Sequence, residues 1–243
     1  MDLGLTGRTA VVTGGSRGIG AAAARMLEAE GARVLAVSRS EGIDVTAPEA
    51  PDRILDALGG TAPDILVNNA GTSYAKGLGE LTEDDWQGQW ELHVMASMRL
   101  MRAFVPAMAE RGWGRVVNVT SSAGKRPSLT NAAYSVSKAA QAALSRVFAD
   151  TYAAQNVLVN SVAPGPVASE LWMAEGGLAD QTAAARGISR QEAIEVQESK
   201  VPVGRFATED EIASVVAFLC SARASMVAGA AWSVDGGTVA TIV

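Results

Sequence analysis

Residues 9–20, Thr9-Ala10-Val11-Val12-Thr13-Gly14-Gly15-Ser16-Arg17-Gly18-Ile19-Gly20, run from an apolar segment into a glycine-rich one. The first five residues are apolar or β-branched, which is typical of a strand that is buried on both faces. Glycines let the backbone turn sharply, and the N–H groups that are free at a helix N-terminus favour an anion. An alanine-rich segment of helical period begins at Ile19. The stretch predicts a strand, a phosphate-binding loop and a helix, with an ordinary tight turn as the alternative.

Outward from this stretch, short β-branched runs alternate with segments of helical period, which predicts βαβ units and a parallel sheet. Strands are predicted at Thr9–Thr13, Arg33–Val37, Ile65–Asn68, Arg115–Thr120, Val157–Val162 and Ala231–Asp235, with a very short seventh at Ile43–Val45. Helices are predicted at Ile19–Glu30, Ala50–Leu58, Glu83–Arg111, Ala132–Ala154 and Glu209–Ser221. Pro106 should kink or shorten the long middle helix.

Composition excludes several classes of function. The chain has 243 residues, and its 20 Lys and Arg against 26 Asp and Glu give a net charge of −6. An acidic chain is expected to bind nucleic acid poorly, because the negatively charged phosphate backbone requires a basic face on the protein. One Cys, Cys220, and one His do not make a zinc site, so no metal is expected. No signal peptide or bilayer-spanning stretch is visible, which predicts a cytoplasmic protein with no membrane partner.

The end of the second predicted strand indicates which nicotinamide cofactor would bind. An NAD site places an acid there to hold the ribose 2′-hydroxyl. This chain instead has Ser38 followed by Arg39, and Arg17 lies in the glycine loop. Guanidinium groups bind a phosphate bidentately, whereas an acid would repel it. The pattern favours NADP(H), with two solvated surface arginines as the alternative.

Further motifs follow in order along the chain. They are Asn68-Asn69-Ala70-Gly71, Ser121, Tyr134-Ser135-Val136-Ser137-Lys138, Pro164-Gly165-Pro166-Val167 and Val234-Asp235-Gly236-Gly237. Together with the glycine loop, this order resembles the short-chain dehydrogenase/reductase family, and the bacterial 3-oxoacyl-carrier-protein reductases are among the most similar branches. The resemblance extends from Arg8 to Gly237. It implies one α/β domain over residues 1–243, a doubly wound Rossmann fold with a parallel sheet of about seven strands.

Chemistry gives an independent reason for three of these residues. Tyr134 and Lys138 are four positions apart, so on a helix they share a face. A nearby ammonium lowers the pKa of a phenol, which would let Tyr134 act as general acid or base at neutral pH. A surface helix pair is the alternative for these two residues alone. Ser121, rather than Thr120 or Ser122, has the family's spacing, 13 residues before Tyr134 and three before a Gly, and would hold the reacting oxygen.

The resemblance also assigns residues to the cofactor. Asp44 and Val45 correspond to the family's adenine-contacting pair, the backbone around Val167 would face the carboxamide, and Ser169 stands where a Thr is common. Lys138 would also bond the nicotinamide ribose. The full implied set is Gly14, Ser16, Arg17, Gly18, Ile19, Gly20, Ser38, Arg39, Asp44, Val45, Asn69, Ala70, Gly71, Tyr134, Lys138, Pro164, Gly165, Val167 and Ser169.

One position departs from the family pattern. The family's fourth catalytic residue is an Asn seven positions after a Trp, and here the residue seven after Trp86 is His93. Imidazole can both donate and accept, so His93 could hold a water in a proton relay to Lys138. It could equally be a packed helix histidine with no relay role. A third possibility is that catalysis has been lost.

The region before Val201 is long for the family, and residues 168–200 are predicted to form a substrate lid with an apolar underside at Leu171-Trp172-Met173. An oligomer contact is the alternative for this region. The expected function is hydride transfer between NADP(H) and a ketone or secondary alcohol, either a 3-oxoacyl group or another small carbonyl substrate. A non-catalytic nucleotide-binding or scaffold protein of the same fold is the alternative. The family further implies a homo-oligomer, a dimer or a homotetramer.

Overall fold

The computed structural model describes residues 2–240, in which one sheet lies between two layers of helices. The strands are β1 (Thr9–Thr13), β2 (Arg33–Val37), β3 (Ile65–Asn68), β4 (Gly114–Val119), β5 (Val157–Pro164) and β6 (Ala231–Val234). The helices are α1 (Gly18–Ala29), α2 (Ala50–Ala57), α3 (Glu83–Trp90), α4 (Ala96–Glu110), α5 (Ser122–Lys125), α6 (Ala132–Tyr152), α7 (Glu170–Met173), α8 (Leu178–Arg186), α9 (Arg190–Glu198) and α10 (Glu209–Cys220).

All neighbouring strands are parallel, and the sheet order is β2-β1-β3-β4-β5-β6. The chain therefore reverses its direction across the sheet at β1, because β2 pairs with one side of β1 and β3 with the other. A crevice opens at such a switch point, beyond the carboxyl ends of the strands. The predicted doubly wound Rossmann fold is confirmed.

The prediction of about seven strands was wrong, because Ile43–Val45 forms no strand. Asp44 turns the chain instead: its Oδ1 accepts from the Thr46 N–H at 2.9 Å and from Thr46 Oγ1 at 2.8 Å. Such a side-chain bond to the backbone two residues on competes with strand pairing. Between β2 and this turn lies a single 3₁₀ turn, Arg39–Glu41.

Each face of the sheet has its own hydrophobic core. Alternate residues of β1 face opposite ways, so that Val12 packs in one core and Val11 in the other. The first core includes residues of α1 and α10, among them Leu27 and Ile212. The second core includes residues of α2, α4 and α6, among them Phe104. With both faces covered, the strands are nearly all apolar, as the sequence predicted.

The long middle helix is continuous but not uniform. Thr82 begins it, since its side chain accepts from the Asp85 N–H, and α3 then passes into a π-helical turn at Glu91–Met95 before α4. A π turn within an α-helix often marks a functional site, and this turn contains His93. Pro106 lies inside α4, which continues to Glu110, so the predicted shortening at this proline does not occur.

Residues 168–200 contain α7, α8 and α9. The ring of Trp172 packs edge-on against Phe206, with centroids 5.1 Å apart. Leu178, the first residue of α8, is buried. Leu171, by contrast, is 40% exposed, so the lid and its apolar underside stay predictions. Across residues 2–240 no helix is both long and apolar enough to cross a membrane.

Candidate active site

The carboxyl ends of β1, β3, β4 and β5 meet at one edge of the sheet. The glycine loop leaves β1 there, Asn69–Gly71 leaves β3, Ser121 follows β4 by two residues, and Gly165 follows β5. Parallel pairing in register brings these ends to a common level. The predicted site segments, scattered through the sequence, therefore lie side by side around the crevice.

The glycine loop borders a cleft that suits a phosphate group. Gly18 begins α1 with φ of +62°, a left-handed conformation that side chains disfavour. A Cβ at Gly20 would lie only 2.2 Å from the Gly14 carbonyl oxygen. The cleft holds about 560 Å³ and is lined by Ser16, Arg17, Gly18, Ser169, Glu170 and Glu209, among others. Because a helix N-terminus at its wall favours an anion, these residues fit the pyrophosphate of a dinucleotide.

Asn69 and Thr13 hold the loops after β1 and β3 together. Asn69 Nδ2 donates to the carbonyls of Thr13 at 3.0 Å and Gly14 at 3.3 Å. Thr13 Oγ1 accepts from the N–H groups of Asn69 and Ala70, each at 3.0 Å. The side chain of Asn69 is thus used to shape the glycine loop. Gly71, two residues on, is exposed at the crevice edge.

The segment after β2 carries the residues expected at the adenine ribose. Ser38 Oγ accepts from the Glu41 N–H at 3.3 Å, and Arg39 is exposed. The Thr46 N–H holds the pKa of the Asp44 carboxyl below its usual value. Val45 is buried in the core. Its side chain therefore faces inward, and only backbone is left at this position for a nucleotide to touch.

Arg17 is bonded across the cleft to the predicted lid. Its Nη1 lies 2.9 Å from Glu170 Oε2, at the start of α7, and both side chains are more than half exposed. Burial raises the pKa of the neighbouring Glu209 carboxyl, and the charge of Arg25 opposes that rise. Glu170 would therefore compete with the phosphate of a ligand for Arg17.

The segment after β5 presents backbone to the crevice. The Gly165 N–H donates to the Val234 carbonyl at 3.1 Å, which ties the turn to β6. Val167 is buried in the core, and the Ala168 N–H donates to the Ala207 carbonyl at 2.9 Å. Ser169 lies at the cleft wall. Pro164 ends β5 and is itself buried.

Ser121, Tyr134 and Lys138 come together at the end of β4. Ser121 Oγ caps α5 by accepting from the Ala123 N–H at 3.1 Å, and Tyr134 stands in the first turn of α6. Burial raises the pKa of Tyr134, while a hydrogen bond with Ser121 opposes the rise. The sequence predicted a lowered pKa for Tyr134, but burial of the phenol outweighs the hydrogen bond that lowers it. The phenol is therefore protonated at neutral pH.

Lys138 is almost fully buried. Its Nζ donates to the Val119 carbonyl at 2.8 Å and to Gln141 Oε1 at 3.0 Å, and lies 5.8 Å from the centroid of the Tyr134 ring. Burial lowers the pKa of Lys138 to about 7. Within the described residues Lys138 makes no ion pair. Its charge is therefore sensitive to each hydrogen-bond acceptor it has.

His93 is fully buried, and both of its ring nitrogens have protein partners. Nε2 accepts from the Thr72 N–H at 3.3 Å, so Nδ1 carries the proton and donates to Ser137 Oγ at 2.9 Å. Ser137 Oγ donates in turn to the Tyr134 carbonyl at 2.8 Å. The imidazole also packs edge-on against the Tyr134 ring at 5.3 Å. Burial, followed by the charge of Lys138, lowers the pKa of His93 well below its usual value.

Comparison with family models agrees with this geometry. A model described as "Enoyl-(Acyl carrier protein) reductase" matches residues 42–239, and one described as "short chain dehydrogenase" matches residues 8–53. The chain belongs to the short-chain dehydrogenase/reductase family. Its members are oxidoreductases, so the resemblance found in the sequence is confirmed.

Individual family members match along their whole length. The structure of L-sorbose reductase from Gluconobacter frateurii, complexed with NADPH and L-sorbose, is 33% identical with a TM-score of 0.89 and 100% coverage of both chains. The 3-oxoacyl-[acyl-carrier-protein] reductase of Vibrio cholerae is 33% identical over 97% of this chain and 98% of its own. L-Xylulose reductase of Bos taurus is 32% identical over 99% of this chain and 100% of its own.

Sequence reasoning missed several side chains at this site. Glu170 opposes Arg17, Ser137 joins His93 to Tyr134, and Gln141 contacts Lys138. The spacing of Gln141, three residues after Lys138 on one helix, could have indicated a contact. No pattern in the sequence pairs Glu170 with Arg17, which are 153 positions apart.

Proposed function

We propose that this short-chain dehydrogenase is an NADP(H)-dependent carbonyl reductase that also oxidises the corresponding secondary alcohol. The observation that carries the proposal is the placement of a protonated phenol, Tyr134, between the hydroxyl of Ser121 and the ammonium of Lys138. A protonated donor beside a second hydrogen-bond donor suits a carbonyl oxygen that gains negative charge.

In the proposed mechanism each residue has one role. Ser121 donates a hydrogen bond to the substrate oxygen and orients it. Tyr134 gives its proton to that oxygen as the carbonyl is reduced, and takes it back in the reverse direction. Lys138 stabilises the phenolate that remains. The nicotinamide cofactor, when bound, supplies or accepts the hydride at the substrate carbon.

Cofactor binding is proposed to follow the crevice. The glycine loop and the start of α1 would hold the pyrophosphate, and the segment Asn69–Gly71 and the turn after β5 would border the nicotinamide half. Arg39 would bind the 2′-phosphate of NADP(H), joined by Arg17 after it leaves Glu170. The NADPH in the L-sorbose reductase structure supports the choice of cofactor.

The substrate is proposed to be a small ketone that is not attached to a carrier protein. L-Sorbose reductase and L-xylulose reductase bear the names of small ketoses. The Vibrio cholerae relative is instead named for a 3-oxoacyl group that is attached to an acyl-carrier protein. Lys125 could have contacted an acidic carrier, but its Nζ donates to the Ala231 carbonyl at 2.6 Å and to Ser233 Oγ at 2.9 Å. Residues 168–200 are proposed to close over the substrate.

We further propose a homo-oligomer. Val136 and Val147 project from α6 with 47% and 60% of their surface exposed. A second copy packed against this helix would remove both from water. Light scattering that gives the mass of a single 25.0 kDa chain would refute this part of the proposal.

The decisive experiment is NADPH oxidation by the wild type and by Tyr134→Phe, on a panel of ketoses, simple ketones and 3-oxoacyl thioesters. Because general acid catalysis contributes about 10²–10⁴-fold, kcat should fall at least that far, with NADPH affinity and Tm kept. Ser137→Ala, beside the site but not at the reacting atoms, is the control for folding. If no substrate oxidises NADPH while NADPH still binds, the chain is a non-catalytic nucleotide-binding protein.

A further inference from the structure

A buried amide contacts the ammonium of Lys138. Gln141 lies on α6, three residues after Lys138, and is 1% exposed. Its Oε1 accepts from Lys138 Nζ at 3.0 Å, and its Nε2 donates to Ser97 Oγ on α4 at 2.8 Å. A buried amide is costly unless its groups are paired, and both ends of this one are.

The orientation of the amide is determined from both ends. An ammonium can only donate, so the atom that faces Lys138 must be the oxygen. At the other end, Ser97 Oγ donates to the His93 carbonyl at 2.9 Å, so it can only accept from Gln141. The network therefore runs in one direction, from Lys138 through Gln141 and Ser97 to the backbone of the π-helical turn.

Two protons of the Lys138 ammonium are bound by this arrangement. One goes to the Val119 carbonyl and one to Gln141 Oε1. An ammonium has three protons, so one remains for the reacting centre. We propose that Gln141 is a positioning residue that keeps Lys138 charged and directs its third N–H toward Tyr134 and the cofactor. This inference rests on the proposed function, in which Lys138 acts on the Tyr134 phenol.

The surroundings explain why one neutral acceptor matters here. The titratable groups that face Lys138 are Tyr134 from its own helix and His93 from the π-helical turn, and neither is negatively charged at neutral pH. No carboxylate forms an ion pair with Lys138 in residues 2–240. Loss of hydration favours the neutral amine of Lys138, and only the oxygen dipoles of Val119 and Gln141 oppose this effect.

The test measures the titration of Lys138 directly. The chain has four lysines, Lys76, Lys125, Lys138 and Lys200, so ¹³Cε-lysine labelling gives few NMR signals, and Lys138→Arg assigns the one of interest. Gln141→Met keeps length and removes the acceptor, whereas Gln141→Glu keeps the acceptor and adds a charge. Ser145→Ala is the matched control, because Ser145 is buried on α6 and its Oγ donates to the Gln141 carbonyl without touching Lys138.

We expect Gln141→Met to lower the titration midpoint of Lys138 by about one to two pH units, the range that one hydrogen bond to a charged group supports. Gln141→Glu should raise the midpoint, and Ser145→Ala should leave it unchanged while lowering Tm. The alkaline limb of the kcat/KM profile for ketone reduction should move with the midpoint in each variant. A merely structural role would lower Tm in Gln141→Met and leave the Lys138 midpoint of that variant unchanged.

The proposal is overturned if the Lys138 midpoint in Gln141→Met equals that of the wild type, or if the two Gln141 variants move it in the same direction. Should Gln141→Met not fold, an unchanged midpoint in Gln141→Glu overturns it as well. The NMR titration needs no turnover, so it remains interpretable if no ketone is reduced. Failure of the proposed function appears instead as an inactive wild type, or as a Tyr134→Phe enzyme that keeps its kcat.

Discussion

The protonation of His93 should make the stability of this protein depend on pH in a way that one substitution removes. His93 is the single histidine of the chain, is fully buried, and has a pKa well below its usual value because burial disfavours the charged ring. In the unfolded chain its pKa is about 6.5. As pH falls below that value, the unfolded state binds a proton that the folded state does not, so the wild type loses stability.

The size of the effect follows from that difference. Each bound proton changes the free energy of unfolding by about 1.36 kcal/mol per pH unit, so from pH 7 to pH 5 the wild type should lose up to about 2 kcal/mol relative to His93→Asn. For a chain of this length that corresponds to a relative change in Tm of about 4–8 °C. Carboxylates also titrate near pH 5, but they are common to both proteins and cancel in the comparison.

The assay is urea unfolding of wild type, His93→Asn and His93→Leu at several pH values between 5 and 7. The two variants should show the same pH dependence as each other, although His93→Leu should be less stable at every pH. It leaves the Thr72 N–H and Ser137 without their partner, which costs about 1–3 kcal/mol per unsatisfied group. Because both ring nitrogens are bonded to protein, kcat per folded His93→Leu molecule should fall less than about tenfold, which is below the about 10²–10⁴-fold that a proton-transfer role contributes. A pH-independent gap between wild type and His93→Asn would refute the buried neutral imidazole, and a large kcat loss at unchanged Tm would restore the water relay.

Three further predictions concern the cofactor cleft and the core. Arg39→Ala should weaken NADPH binding about ten- to hundredfold and leave NADH unaffected, and equal wild-type dissociation constants for the two cofactors in a fluorescence titration would contradict this. Glu170→Gln should tighten NADPH binding by up to about fivefold, since an exposed ion pair with Arg17 is worth about 0–1 kcal/mol, and Gln191→Ala on α9 is its surface control. Cys220 is buried and burial raises the pKa of its thiol to about 12, so a thiol reagent should modify the folded protein only at the rate of unfolding, and fast labelling would show that the site opens locally.

Local sequence determined those features that depend on residues close together in the chain. The strand, loop and helix that begin at residues 9–20 follow from the apolar run, the glycines and the helical period of the residues after them. The spacing of Tyr134 and Lys138 places both on one face of α6. The parallel sheet followed from alternation of the elements. The family's order of motifs then identified Ser121 among three neighbouring hydroxyls. Each of these inferences needed only nearby residues or their order.

Tertiary structure decided what depends on contacts between distant segments. The contact of Arg17 with Glu170 across the cleft joins residues 153 positions apart. The partners of His93, at Thr72 and Ser137, and the link from Gln141 to Ser97 join residues 21 to 44 positions apart. Burial then set the charges, because the pKa of Tyr134, Lys138 and His93 each respond to loss of water more than to sequence neighbours. Desolvation is a property of the packed fold, so no local pattern of residues could have predicted these protonation states.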